Sequence, residues 1–381
     1  MDKPIRLYKF IARIKPPMRS TILLFYILLL LGVQSAKAQT TPKYSNEFLQ
    51  VGVGARALSM GGSVVTSELG PFSTFWNPAL LTLQGQKYGV GAMHAEYFAG
   101  IASFDAIGFT YRQDSLSGFS LGFVRLGVDD ILNTTQLIDK EGNLDYSRIS
   151  LFSTSDNAFF VGYGRIIPQL GLSIGGNAKI IYRHVGQFAS AYGFGIDLGA
   201  RKGLGKWLVA ATLRDVTTTF SYWTFNSKKL EIQVGDSTFN YAPSQSVELT
   251  LPRLIAGVSR RIAVVGKVSA MAELNLEMTF DGRRHTLISS KAASIDPKLG
   301  LEVGYDGLVF LRMGVNNIQE ETDFGGKKSY TFQPNLGLGV KWRGWSLDYA
   351  LTNIGSVGIG QYSNIFSVGY SFDRLNLNNI F

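Results

Sequence analysis

The chain has 381 residues, among them 43 Gly, 25 Phe, 17 Tyr and 5 Trp. It has no Cys and three His, which excludes disulfide scaffolds, thiolate metal sites and cysteine nucleophiles. The formal net charge is +9, but residues 1–38 hold seven Lys or Arg and one acid, so the remainder carries only +3. A body this close to neutral argues against a nucleic-acid partner.

Residues 1–38 are predicted to be a secretory signal peptide. A basic stretch ends at Arg19, an apolar run covers 22–33, and Ala36-Lys37-Ala38 predicts cleavage before Gln39. The apolar run is too short to cross a bilayer, which takes about 20 helical residues. A retained membrane anchor is the alternative, and Met18 begins a shorter leader of the same kind.

Residues 39–86 do not alternate and are predicted to form a compact segment ahead of a β domain. The stretch Gly-Ala-Arg-Ala-Leu-Ser-Met-Gly-Gly at 54–62 indicates a close-packed turn of chain, and Asn77 is a predicted helix cap before Pro78. Gly52, Gly54 and Ala57 also match a dinucleotide-binding G-x-G-x-x-A, but they lack the strand–turn–helix context. No cofactor and no metal site is expected.

The rest of the chain alternates apolar and polar residues with the period of two that is typical of strands. In 268–278, for example, Val268, Ala270 and Ala272 share one face, whereas Ser269 and Glu273 lie on the other. The pattern predicts fourteen strands: 87–98, 101–112, 117–128, 157–167, 171–184, 190–202, 206–217, 251–262, 266–279, 296–306, 308–316, 333–342, 345–354 and 362–373.

The predicted connections are segregated by length. Long segments, such as 129–156 and 218–250, follow only odd-numbered strands, whereas tight turns, such as 113–116 and 343–344, follow even-numbered ones. Outer-membrane barrels have short periplasmic turns, longer outer loops and an even strand count, and they close because lipid offers an edge strand no partner. The sequence therefore predicts an all-β, 14-stranded antiparallel transmembrane β-barrel over 87–381, surrounded by outer-membrane lipid.

Aromatic residues near the strand ends support the membrane interpretation, because such residues form girdles at bilayer interfaces. They are Tyr111, Phe123, Tyr163, Tyr182, Trp207, Trp342, Trp345 and Tyr370. The polar strand faces supply lumen charges of both signs, which are expected to pair across the barrel because isolated buried charges are costly. They are Lys179, Arg183, Asp197, Arg201, Glu273, Glu277, Lys298, Glu302, Arg312, Lys341 and Asp348. This charged lumen argues against a wide apolar tunnel.

The order F-L-x-V-G-x-G-A-R-A-L-S-M-G-G (48–62), W-N-P-A-L-L (76–81) and fourteen strands resembles the PorV/PorQ family of Bacteroidota outer-membrane proteins. That family is similar in turn to the FadL fatty-acid transporters. The resemblance implies that residues 39–86 form a hatch in the periplasmic mouth of a FadL-like barrel. Its motif residues would be Gly54, Ala55, Arg56, Ala57, Met60, Gly61, Gly62, Trp76, Asn77, Pro78 and Ala79. The chain reads G-V-G-A-R-A where PorV is expected to read P-D-A-R-A, which leaves room for a paralogue with another role.

Some members of that family belong to the type IX secretion system. The resemblance therefore implies a non-enzymatic accessory barrel, monomeric within a larger complex, that binds translocon or cargo and passes exported proteins to the cell surface. The predicted loop 218–250 offers an aromatic cluster for such a partner, or for a lid that folds inward. Its members are Phe220, Tyr222, Trp223, Phe225, Phe239 and Tyr241.

The alternative function is a FadL-like outer-membrane channel for small hydrophobic molecules, which requires an apolar pocket and a lateral opening. An enzyme is not expected, because the sequence has no G-x-S-x-G and no H-E-x-x-H. His94 and Glu96 fall at alternating positions and could share the lumen, but a lone lumen His is more often structural.

Overall fold

The structure is a computed structural model that describes residues 46–139, 141–234, 237–240, 245–322, 326, 328–352 and 362–373. The predicted signal peptide, the first residues of the predicted hatch and Tyr241 lie outside these ranges. Among the described residues, no helix is long and apolar enough to cross a bilayer.

Extended segments dominate the described chain. They are β1 (Tyr88–Tyr97), β2 (Ala102–Arg112), β3 (Ser117–Asn133), β4 (Ser150–Ile167), β5 (Leu172–Val185), β6 (Ala189–Leu204), β7 (Trp207–Arg214), β8 (Thr219–Phe225), β9 (Glu231–Val234), β10 (Ser237–Asn240), β11 (Gln245–Thr250), β12 (Arg253–Val265), β13 (Val268–Thr279), β14 (Ile288–Ser289), β15 (Ser294–Tyr305), β16 (Val309–Thr322), β17 (Lys328–Trp342), β18 (Trp345–Thr352) and β19 (Ser363–Phe372).

These segments build a closed antiparallel barrel of fourteen strands, which confirms the predicted fold class. Each barrel strand pairs with the next, and β19 pairs with β1, so the sheet has no edge. β7 and β8 together form the seventh barrel strand, since both pair with β6. β11 and β12 form the eighth barrel strand. β9 and β10 make a separate hairpin, which lies between β8 and β11 in the chain.

The seventh and eighth strands differ from the prediction. The strand predicted at 206–217 breaks after Arg214 and resumes at Thr219, because Asp215 and Thr218 adopt positive φ angles of 56° and 58°. The eighth strand breaks at Leu251-Pro252, beside this kink. The predicted loop 218–250 therefore contains wall strands at both of its ends, β8 and β11, and the region between these two strands is the connection.

Turn lengths divide the barrel into a short-turn end and a long-loop end. At the short-turn end, β17 and β18 are joined by Arg343-Gly344 and β6 and β7 by Gly205-Lys206. At the long-loop end, the connections 134–149 and 280–293 contain short helical or bridged pieces. The two ends of the lumen therefore meet different surroundings.

The outer face of the wall is uneven. On β13 six successive outward residues are apolar, Val268 to Met278, and β15 matches this with six from Ile295 to Tyr305. On β1 only Tyr88, Val90 and Ala92 are apolar before His94 interrupts the run. β2, β3 and β4 likewise carry three each, ending at Asp105, Arg125 and Asn157, which are cross-strand neighbours.

The segment before the barrel lies inside it. It contains a 3-10 turn (Glu47–Gln50), α1 (Ala55–Ser59), α2 (Ser73–Trp76) and a second 3-10 helix (Pro78–Leu83). Three further 3-10 turns lie in the barrel connections: Tyr146–Arg148, Pro168–Leu170 and Ser227–Lys229. Because residues 46–86 fill the lumen, we call them the hatch.

Candidate functional site

The glycine pair of the hatch motif ends α1. Gly61 and Gly62 have φ angles of 64° and 72°. The N–H of Gly62 donates to the carbonyl of Ala57 at 2.9 Å, and that of Gly61 donates to the carbonyl of Leu58 at 3.0 Å. These two bonds form a Schellman cap, which favours glycine at the left-handed position. The cap turns the chain sharply after one short helix, and α1 packs against β17 and β18.

Arg56 fastens α1 to the wall. Its Nε lies 2.9 Å from Glu302 Oε2, and its Nη1 lies 2.6 Å from Glu68 Oε2. Glu302 in turn binds Arg312 at 2.6 Å, and Arg312 binds Asp348 at 2.6 Å. Alternating charges therefore connect the hatch to β15, β16 and β18, and we call this set the hatch network.

Burial disfavours the charged form of both hatch members of this network, Arg56 and Glu68, but it decides the direction of the pKa shift only for Glu68. Burial lowers the pKa of the Arg56 guanidinium, but the carboxylates of Glu302 and Glu68 outweigh it and raise that pKa above its ordinary value. Burial raises the pKa of Glu68, although Arg56 opposes the shift. Arg56 therefore keeps its charge between the two carboxylates.

The Trp76-Asn77-Pro78-Ala79 motif joins α2 to the second 3-10 helix. The predicted cap at Asn77 is present, since its Oδ1 accepts the N–H of Ala79 at 3.0 Å. Its Nδ2 donates to the carbonyl of Val65 at 3.0 Å, and Trp76 Nε1 donates to the carbonyl of Val53 at 2.8 Å. The motif thus binds two earlier parts of the hatch to each other.

Inward-facing glycines let the hatch approach the wall at backbone distance. A Cβ at Gly314 would overlap the backbone of Met60 and Gly61, and one at Gly175 would overlap Pro78. A Cβ would also overlap hatch backbone at Gly108, Gly118, Gly164 and Gly300, and hatch side chains at Gly199, Gly257 and Gly337. We call these positions the glycine track, because the absence of side chains there lets the hatch fit closely against the wall.

A second ionic network lies beside the kink between β7 and β8. Lys179 Nζ lies 2.8 Å from Asp197 and 2.6 Å from Asp215. The chain of charges continues through Arg253 to Glu277, at 3.3 Å, and on to Lys298, at 2.7 Å. We call it the kink network. It stabilises the interrupted ladder, since the N–H of Asp215 also donates to Asp197 at 2.8 Å.

The structure places all eleven predicted lumen charges on the inward face, but most pair with neighbouring strands or with the hatch rather than across the barrel. Arg183 pairs with Asp156 and Glu248, Arg201 donates to the hatch carbonyl of Thr66, and Glu273 accepts the N–H of Thr66. Sequence reasoning missed Glu68, Asp215 and Arg253. Arg253 carried a signal, because it lies two residues before Ile255 on the strand face that also holds Gly257 and Ser259. Glu68 lies in the hatch, where no strand period applies, and Asp215 lies at the kink that interrupts the predicted strand 206–217.

The side of the lumen that β1, β2 and β3 form is mostly apolar. From 89 to 128, the described inward face of β1, β2 and β3 carries one charged side chain, Arg112 at the short-turn end. Phe104 and Phe160 lie buried here against the hatch, and Phe75 contacts Phe160 edge-on at 5.9 Å. Toward the long-loop end, Tyr97 contacts Phe104 at 6.2 Å.

The predicted partner cluster does not form one loop surface. Phe220 and Tyr222 face outward from β8, whereas Trp223 and Phe225 face inward, because they alternate along one strand. Trp223 Nε1 donates to Glu248 at 3.0 Å and lies under Arg183. Phe239 belongs to the β9–β10 hairpin, and Tyr241 lies outside the described residues.

His94 and Glu96 do not share the lumen. They face outward from β1, where His94 Nδ1 lies 2.7 Å from Asp105 Oδ1. Arg125 lies 3.8 Å from the same carboxylate. The expectation failed because the more apolar face of β1 turns inward, onto the apolar side of the hatch.

No protein-family model matches the sequence, and no curated protein matches it either. Solved structures do match its fold. CymD, described as a monoaromatic hydrocarbon channel, is 13% identical, with 85% of this chain and 98% of that one aligned at a TM-score of 0.53. The toluene transporter TodX of Pseudomonas putida is 11% identical, with 84% and 98% aligned at 0.53. The chain therefore has a FadL-like barrel fold.

Proposed function

We propose that this protein is a non-enzymatic outer-membrane barrel that passes small hydrophobic molecules along the mostly apolar side of its lumen, which β1–β3 form. The observation that carries this proposal is the inward face of β1–β3 from 89 to 128, which is packed on the aromatic side of the hatch and whose one charged side chain, among the described residues, is Arg112 at the short-turn end. Displacing the hatch from this wall would expose a continuous apolar surface. CymD, which is described as a monoaromatic hydrocarbon channel, and the toluene transporter TodX have the same fold, and this likeness supports the proposed function.

A membrane location fits the outer face. Its long apolar runs on β13 and β15 have the length that a hydrocarbon layer requires, and the closed sheet leaves no backbone edge in lipid. At the short-turn rim, Tyr88 stacks between Tyr111 and Phe372, which is typical of an interfacial girdle.

The test is to lock the hatch. The N–H of Ala55 donates to Ser367 Oγ at 2.8 Å, so Cys replacing both residues would join α1 to β19. The natural chain has no Cys, which makes the engineered pair the only disulfide. We expect oxidised Ala55→Cys/Ser367→Cys protein in proteoliposomes to lose flux of labelled toluene, and a reductant to restore it.

The matched control joins two wall strands and leaves the hatch free. Ala92 and Val368 are cross-strand partners on β1 and β19, so Ala92→Cys/Val368→Cys should conduct in both redox states. Absence of toluene flux through the unmodified protein would overturn the proposal, as would equal flux with the hatch locked.

A second candidate is the type IX secretion accessory. It is favoured by the hatch network, because a hatch held by Arg56 between Glu68 and Glu302 suits a barrel that stays closed and acts through its surface. The β9–β10 hairpin is the appropriate deletion, since residues 219–225 belong to the wall. Loss of co-purifying translocon and of surface cargo on deleting 231–240 would support this role, whereas unchanged secretion would remove it.

A further inference from the structure

A cavity of the lumen opens at the short-turn end, between the hatch and the inward faces of β6, β7, β12, β13 and β15–β17. Its volume is about 920 Å³, and we call it the vestibule. A volume of this order is typical of a small-molecule pocket rather than of a macromolecular groove.

The vestibule has an excess of positive charge. Arg201, Lys206, Arg261 and Lys341 line it, and in the described chain none of these four lies within 4.0 Å of a carboxylate. The one lining carboxylate, Glu302, is already bound by Arg56 and Arg312. Four cations therefore converge on one cavity, and none of them forms a direct ion pair with a described carboxylate.

The other end of the lumen shows the contrast. A cavity of about 310 Å³ there is lined by Glu47, Glu277 and Asp296 as well as by Arg284 and Lys298. Its acids and bases are in near balance and in contact, with Lys298 bonded to Glu277 at 2.7 Å. The excess charge is therefore a property of the vestibule and not of the lumen as a whole.

The vestibule also has an apolar lining. Leu208, Met271 and Phe310 face into it from three strands, and Lys341 Nζ lies 5.3 Å from the ring centre of Phe310. A bare inorganic anion would satisfy the cations but leave this apolar surface exposed to water. A neutral hydrocarbon would cover the surface but leave the cations unpaired.

We propose that the vestibule is a binding site for a small organic anion with an apolar body, such as an aromatic carboxylate or sulfonate. The site lies at the hatch, because Arg201 Nε donates to the carbonyl of Thr66 at 2.9 Å. Binding here does not depend on hydrocarbon flux along the β1–β3 wall.

The experiment measures binding calorimetrically, with the full mature chain in nanodiscs. The probes are 1-naphthoate, its neutral amide 1-naphthamide, and inorganic phosphate. We expect 1-naphthoate to bind and to weaken as salt is added, because the recognition is electrostatic. We expect the amide and phosphate to bind at least tenfold more weakly.

Adjacent residues provide matched variants. Arg261 faces the vestibule, whereas Arg260 faces outward over Trp207. Arg201 faces inward, whereas Lys202 is exposed on the outer face. Arg261→Gln and Arg201→Gln should each weaken naphthoate binding about tenfold, and Arg260→Gln and Lys202→Gln should leave it unchanged.

Three outcomes would overturn the proposal: amide bound as tightly as naphthoate, phosphate bound as tightly as naphthoate, or outward variants as damaging as inward ones. Heat-modifiable gel migration checks that each variant is folded. If toluene flux is absent but naphthoate binds, only the proposed channel function is refuted. If flux is intact but naphthoate does not bind, only the proposed anion site is refuted.

Discussion

Charged residues on the two faces of the wall have different surroundings. Inside, the Arg312 side chain is fully buried and lies 2.6 Å from both Glu302 and Asp348. Outside, His94 and Asp105 lie 2.7 Å apart, but their side chains are 55% and 38% exposed. Both contacts are short, yet only the inner one involves a side chain that is withdrawn from water.

The difference shows that contact distance alone does not measure how much a charged pair matters. Removing one member of a buried pair leaves the other charge unsolvated, whereas an exposed pair can exchange its partner for water. The inner networks should therefore hold hatch and wall together, and the outer cluster should contribute little to stability.

Replacing Arg312 gives the largest expected effect. Arg312→Met leaves Glu302 and Asp348 with a missing partner, and we expect the free energy of unfolding to fall by about 3–5 kcal/mol. Urea titration of gel migration in detergent measures it. The outward Arg125→Met should cost at most about 1 kcal/mol. Equal losses for the two variants would refute the distinction between the faces.

Filling the glycine track should have an intermediate effect. Gly314→Ala places a methyl group against the backbone of Met60 and Gly61, so we expect a loss of about 1–3 kcal/mol and faster amide exchange across α1. Gly203→Ala serves as the control, because the nearest atom to the added Cβ would be Leu208 Cδ2, at 4.0 Å. Unchanged exchange in Gly314→Ala would show that the hatch is not held by this fit.

Neutralising the outer cluster should have the smallest effect. Asp105→Asn removes the carboxylate shared by His94 and Arg125, and we expect the free energy of unfolding to change by less than about 1 kcal/mol. The inward counterpart Asp197→Asn, which weakens the partner of Lys179, should cost more. A larger loss for Asp105→Asn in the same urea titration would contradict the comparison.

Much of the barrel could be predicted from the sequence, because strand period and turn residues are local properties. On β19, Ser363 to Gly369 alternate between buried and exposed as expected. The same rule failed on β1, where it identified two faces correctly but not which one turns inward. The hatch decides that, since its apolar side lies against Met93 and Ala95.

The site depends on contacts that no local pattern encodes. Arg56 and Glu302 are 246 residues apart in the chain, and only the barrel closure brings them together. The kink at Asp215 depends on backbone angles that a run of Thr residues does not reveal. The vestibule likewise arises because tight turns gather cations from separate strands at one end.

The short outward runs on β1–β4 have a consequence for the surrounding lipid. Three outward residues span about 13 Å along a strand and six span about 33 Å, at roughly 3.3 Å per residue. A bilayer of uniform thickness cannot match both. The hydrocarbon beside β1–β4 would have to thin, so that polar headgroups descend to His94 and Asp105 on one side of the barrel only. Such hydrophobic mismatch would give the protein a preferred orientation among its neighbours in the membrane.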